Sequence, residues 1–79
     1  MSSHLEIRDY ILKKFASARA REEKSCTLVS GDVANALRIK NRMPSICGVM
    51  YSLMQPGDEI LSTTPSGQSS TIKIKYYLA

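Results

Sequence analysis

The tetrapeptide Gln55-Pro56-Gly57-Asp58 divides the 79-residue chain between two hydrophobic rhythms. Proline lacks an N–H donor, glycine takes up conformations closed to other residues, and aspartate bonds its own neighbourhood, so a regular element stops at such a cluster. Before it, apolar residues recur every three or four positions, the period of a helix; after it they recur every second position, the period of a strand. A chain this short supplies one small core, burying only about 60% of its unfolded surface. The two rhythms must therefore share that core as a single α+β domain spanning residues 1–79, and a two-domain enzyme is excluded.

From Leu5 to Ala20, Ile7, Tyr10, Ile11, Phe15 and Ala18 make one apolar stripe, with Arg8, Asp9, Lys13 and Lys14 largely elsewhere around the turn. Ser3 and Glu6 have capping-box spacing at its start, and Arg19 and Arg21 suit its C-terminal dipole. The run Cys26-Thr27-Leu28-Val29 reads as a short strand. A second helix follows to about Arg38, capped by Ser30 or Asp32, with Val33, Ala34, Leu37 and Ala36 as candidates to face inward. It is barely two turns long, so packing against neighbours must hold it. A polar turn, residues 39–44, leads to a third helix from Pro44 to Leu53 or Met54. Its inward stripe is Ile46, Val49, Met50 and Leu53, with Ser45, Gly48 and Ser52 near the opposite face and Cys47 and Tyr51 at the flanks.

Beyond the breaker, residues 59–63 form a strand, residues 64–69 a flexible turn, and residues 70–78 a longer strand. Ile72, Ile74, Tyr76 and Leu78 share one face, and Thr71, Lys73, Lys75 and Tyr77 the other.

Forty-three per cent of the residues are hydrophobic and the net charge is +4, which excludes a wholly disordered chain and weakly favours a polyanionic partner. Cys26 and Cys47 are too few and too far apart for a disulfide framework or a zinc quartet, and read as reduced thiols of a cytoplasmic protein, a single disulfide between them being the alternative. No apolar signal segment or bilayer-length run occurs, so no membrane association is expected.

The order helix, strand, helix, tight turn, helix, hairpin, together with the segment SGDVANALRIKNRMPSICGVMYSLM, resembles the winged helix-turn-helix family of DNA-binding domains. The resemblance is to small archaeal and bacterial members with an NRMPS-like turn before the recognition helix. It spans nearly the whole chain. It implies three helices with a short strand and a C-terminal two-stranded wing hairpin, the helix beginning near Pro44 entering the major groove, and the loop from Thr63 to Ser70 acting as the wing. It also implies a homodimer, for which Leu5, Tyr10, Leu12 and Tyr77 are candidate interface residues; completing the monomer core is their other use.

Charge locates the docking face. Residues 1–32 carry nearly balanced charge, and Asp58 and Glu59 offset Lys73 and Lys75, whereas residues 33–57 hold Arg38, Lys40 and Arg42 with no acid. Lys40 and Arg42 are the leading phosphate contacts, because they flank a helix N-terminus; a soluble turn would carry them equally well. Asn41 is a DNA contact or the cap of the third helix, and Ser45 a donor to phosphate or to its own backbone. Gly48 inside a helix costs about 1 kcal/mol relative to Ala. Close approach of DNA or of another helix would offset that, with internal packing the favoured of the two. Ser52 is a weaker groove candidate. Ser66 and Gln68 in the loop, and Lys73 and Lys75 on the strand, are further backbone contacts; otherwise the loop is an ordinary hairpin tip and the lysines guard an edge strand. The third helix offers no Arg, Gln or Asn before Gln55, so only modest sequence discrimination is expected.

The sequence shows no catalytic constellation, phosphate-binding loop or metal quartet. Its sole histidine, His4, lies near the N-terminus, an end expected to be mobile. The expected function is therefore non-enzymatic: binding of double-stranded DNA as a transcriptional regulator, without cofactor, metal or small-molecule ligand. A winged-helix protein-interaction module is the alternative, and binding of structured RNA a weaker one.

Overall fold

The computed structural model describes residues 3–78, apart from the side chain of Ser3. The expected Ser3–Glu6 capping box therefore involves a side chain outside the described residues. Helix α1 (Ser3–Ala20) begins the fold. It buries Ile7, Ile11, Phe15 and Ala18, at spacings of four, four and three, and leaves Tyr10 half-buried beside them. It ends as Glu22 turns to φ 60° and the Glu23 N–H reaches back to the Ala18 carbonyl at 3.0 Å, satisfying a carbonyl that the helix itself leaves open.

Strand β1 (Ser25–Val29) runs directly into α2 (Ser30–Leu37), and a five-residue junction leads to α3 (Met43–Ser52). The hairpin is β2 (Glu59–Ser62) and β3 (Lys73–Tyr77). The three strands form an antiparallel sheet in the order β1-β3-β2, so the last strand lies in the middle. Its inner face, Ile74 and Tyr76, meets the helices, and Ile72 just before it is also fully buried. The Tyr76 ring tilts against Phe15 of α1 with centroids 4.9 Å apart. Its hydroxyl donates to the Met50 carbonyl at 2.7 Å, near the end of α3, where the Met54 N–H is already directed to Tyr51. A tyrosine is thus the bolt between central strand and third helix.

Three helices, a short strand and a two-stranded hairpin reproduce the α+β winged helix-turn-helix order that the sequence pattern implies. Several local expectations are corrected. Neither Ser30 nor Asp32 caps α2: its N-cap is Val29, in extended conformation with no side-chain cap bond, and Ser30 is turned into the core. Ala36 is exposed rather than inward. Cys47 is fully buried rather than at a flank of α3, because the loop after β2 covers that side of the helix. The central strand begins at Lys73 and not at Ser70, because the Ser69, Ser70 and Ile72 carbonyls turn to accept bonds from the start of α2. In β2, Ile60 and Ser62 oppose the adjacent residues Ile74 and Lys73, so Leu61 is a bulge at the sheet edge. Among the described residues, no helix is long and apolar enough to cross a membrane.

Candidate nucleic-acid interface

The junction between α2 and α3 is built by two left-handed residues. Arg38 ends α2 at φ 55°, and the Ile39 N–H returns to the Ala34 carbonyl at 3.0 Å while the Ile39 side chain packs on the core. That apolar contact accompanies a left-handed helix stop and directs the following polar residues outward. Asn41 then takes φ 56°, which asparagine tolerates better than most residues. Arg42, not Asn41, is the N-cap residue of α3, and no side chain makes the cap bond, so the capping role considered for Asn41 is not observed.

Arg38, Lys40, Asn41 and Arg42 all lie at the surface, Lys40 and Arg42 without a salt-bridge partner among the described residues. The ion pair found among the described residues is Arg21–Glu23 at 3.1 Å, far along the chain from these cations. Pro44 occupies the first turn of α3 and contributes no N–H, and the Ile46 N–H is taken by the Arg42 carbonyl at 3.1 Å. Met43 and Ser45 therefore present the N–H groups that the helix does not use, next to three uncompensated cations.

Along α3, Ile46, Cys47, Val49 and Met50 are buried, while Ser45, Gly48 and Ser52 fall on the outer side. A Cβ added at Gly48 would meet nothing within 4 Å. The internal packing favoured for this glycine is thus absent, and it leaves a smooth, open place in the middle of the helix. The Ser52 hydroxyl donates to its own helix, at the Val49 carbonyl, 2.8 Å away.

The loop between β2 and β3 is tethered, contrary to the expectation of a flexible tip. Tyr51 of α3 donates its hydroxyl to the Gly67 carbonyl at 2.7 Å. At the loop base, the Ser30 hydroxyl donates to the Ser69 carbonyl and accepts the Ile72 N–H at 3.2 Å, and the Cys47 thiol lies 3.6 Å from the same Ser69 oxygen. The Gly31 N–H donates to the Ser70 carbonyl at 2.9 Å; a Cβ there would stand 2.7 Å from that oxygen, so only glycine allows the chain to pass so close. Burial pushes the Cys47 thiol pKa up, with backbone and hydroxyl hydrogen bonding from Ser69 and Ser30 opposing this in part. Ser66 closes the turn by accepting the Gln68 N–H at 3.2 Å at the tip.

The structure therefore gathers two groups of the sequence-derived candidates. Arg38, Lys40, Asn41 and Arg42 cluster at the junction leading into Ser45, Gly48 and Ser52 on α3, and the loop bearing Ser66 and Gln68 is fastened to that helix. Lys73 and Lys75 stand apart, on the sheet face turned away from Ile74, Tyr76 and the helices. There Lys75 lies 5.1 Å from the Tyr77 ring centre and opposite Glu59, whose carboxylate accepts the Tyr77 hydroxyl at 2.8 Å. Sequence reasoning misses the tethering residues Ser30 and Tyr51 as contributors to this face. The signal available for Tyr51 is a tyrosine at the flank of a helix, too common to single out.

The fold and this face define a small winged helix-turn-helix-like domain with a basic inter-helix junction. No family model, curated protein or solved structure matches the chain, so the class rests on topology and surface chemistry.

Proposed function

We propose that the protein binds double-stranded DNA with modest sequence preference, as a non-enzymatic transcriptional regulator. The carrying observation is the acid-free surface cluster Arg38, Lys40 and Arg42 immediately ahead of α3. Cations there contact phosphates on either side of a groove that receives the helix, and the unused N–H groups of Met43 and Ser45 add directed donors. The open surface at Gly48 lets the helix approach base edges closely. Its small neutral side chains offer few of the bidentate contacts that discriminate bases, so affinity rests mainly on backbone and groove shape. The tethered loop extends the same face with hydroxyls and amides.

A single domain of this size covers one half-site, so the protein acts as a homodimer. The free thiols Cys26 and Cys47 suit a cytoplasmic setting.

The test is fluorescence anisotropy of a mixed-sequence duplex across a salt series. Wild-type affinity falls steeply with salt, and the K40A/R42A double change weakens binding and flattens the log–log slope by roughly 0.9 for each phosphate that is no longer neutralised. Absence of binding at low salt, or unchanged affinity and slope in the double variant, overturns the reading. Chemical-shift changes on duplex addition are expected in residues 38–52; confinement to α1 would place the docking face elsewhere.

A further inference from the structure

We propose that two copies of the chain pair through the free edge of β1, antiparallel about a two-fold axis at Thr27. The inference rests on the homodimer part of the proposed function and is independent of DNA.

Bonds at the two ends of β1 fix which backbone groups face outward. Ser30 N–H donates to the Ile72 carbonyl at 2.9 Å, and Leu78 N–H to the Lys24 carbonyl at 2.8 Å. With the register Cys26↔Tyr76 and Leu28↔Ile74, the even-numbered residues are the hydrogen-bonded pairs with β3. The N–H and C=O groups of Ser25, Thr27 and Val29 therefore point away from the sheet. The Val29 carbonyl serves the first turn of α2; the others have no hydrogen-bond partner among the described residues.

The two sheet edges are treated differently. The β2 edge carries the Leu61 bulge and begins with Glu59, both of which discourage pairing. The β1 edge is Ser-Cys-Thr-Leu-Val, regular in register, with no charge or proline. It opens into a cleft of about 270 Å³ flanked by α1 and the start of α2.

Charge around the cleft selects the occupant. The Arg21–Glu23 pair precedes Ser25 in the chain and Asp32 follows Val29, while Lys14, which also lines the cleft, lies near enough to Cys26 to act on its thiol. A second β1, laid antiparallel with Thr27 opposite Thr27, brings each Arg21–Glu23 end against the Asp32 end of the other copy. The same register lets the two Thr27 residues exchange both backbone bonds, and each Val29 N–H donate to the Ser25 carbonyl across the axis. An isologous two-fold contact permits only such a self-complementary arrangement. The result is one continuous sheet through both copies.

Thr27 is exposed and its N–H serves no bond among the described residues, so changes there leave the monomer fold intact. Sedimentation equilibrium without DNA should show a dimer whose dissociation constant rises about tenfold or more in Thr27→Lys, which sets like charges opposite each other, and in Thr27→Pro. Leu12→Lys, on the exposed face of α1, should leave it unchanged. In a Cys26→Ala background, Thr27→Cys should be captured as a dimer by a short thiol-to-thiol cross-linker, because hydrogen-bonded antiparallel partners stand about 5.5 Å apart at Cα. A wild-type chain that stays monomeric at high concentration overturns the proposal. So does a dimer that Leu12→Lys dissociates and Thr27→Lys does not. Because no DNA is present, neither result depends on whether the duplex binds.

Discussion

Replacing Ser30 by alanine tests the link that joins α2 to the loop. Its side chain is fully buried, its hydroxyl donates to the Ser69 carbonyl, and its oxygen accepts the Ile72 N–H at 3.2 Å. The two losses are unequal. The Ser69 carbonyl keeps the Cys47 thiol 3.6 Å away as a second donor, whereas no other acceptor reaches the Ile72 N–H among the described residues. A hydrogen bond contributes a net of about 0.5–1.5 kcal/mol, and a buried donor left unpaired costs about 1–3 kcal/mol. Together the substitution should destabilise by about 2–4 kcal/mol, a large part of the roughly 4–12 kcal/mol available to a domain of this length. Urea unfolding followed by circular dichroism should show a lower midpoint with an unchanged m-value, and Tm should fall by about 4–8 °C per kcal/mol. Ser69→Ala is the control: that residue supplies its carbonyl to Ser30, while its own hydroxyl bonds only Thr71 at the surface, so the change should stay within about 0.5 kcal/mol. If Ser30→Ala also lies within about 0.5 kcal/mol of wild type, the buried clamp does not hold the loop and the reasoning fails.

Two further outcomes follow from the same geometry. Gly48→Ala should stabilise by about 0.5–1 kcal/mol, since the new methyl meets open space and helix propensity improves, while Gly31→Ala should destabilise because its Cβ would press on the Ser70 carbonyl; matched urea curves with the same sign for both would contradict the placement of these glycines. Burial raises the pKa values of Cys26, Cys47 and Tyr76. The unfolded thiols and phenol ionise first, near about 8.5 and 10, so their contribution is complete below that window and is lost as pH rises through the folded values; a urea midpoint that holds level or rises from about pH 8 to 10 would refute it.

The positions legible in the sequence depend on local repetition. The α1 stripe Ile7, Ile11, Phe15 and Ala18, and the alternation of Ile72, Ile74 and Tyr76 with Lys73 and Lys75, follow from helical and strand periods alone. The basic junction is equally plain, because no acid lies between Val33 and Gly57. Ser30 misleads for a physical reason: a serine ahead of a helix is the ordinary sign of a cap, and only the approach of Ser69 and Ile72, some forty residues on, gives its hydroxyl better partners. Asn41 misleads in the same way, its left-handed backbone serving the turn while Arg42 takes the cap position.

By itself, then, the sequence determined the number and order of elements, their inward faces, and the place where positive charge gathers, since all of these are set by residues within a turn or two of one another. Tertiary structure alone decided that Cys47 is covered, that Gly48 is open, that the loop is tied to α3 through Tyr51, and that β1 keeps an unpaired edge. Each of these depends on which distant segment arrives to satisfy, or leave exposed, a backbone polar group. That requirement is imposed by burial, and burial is a property of the assembled fold.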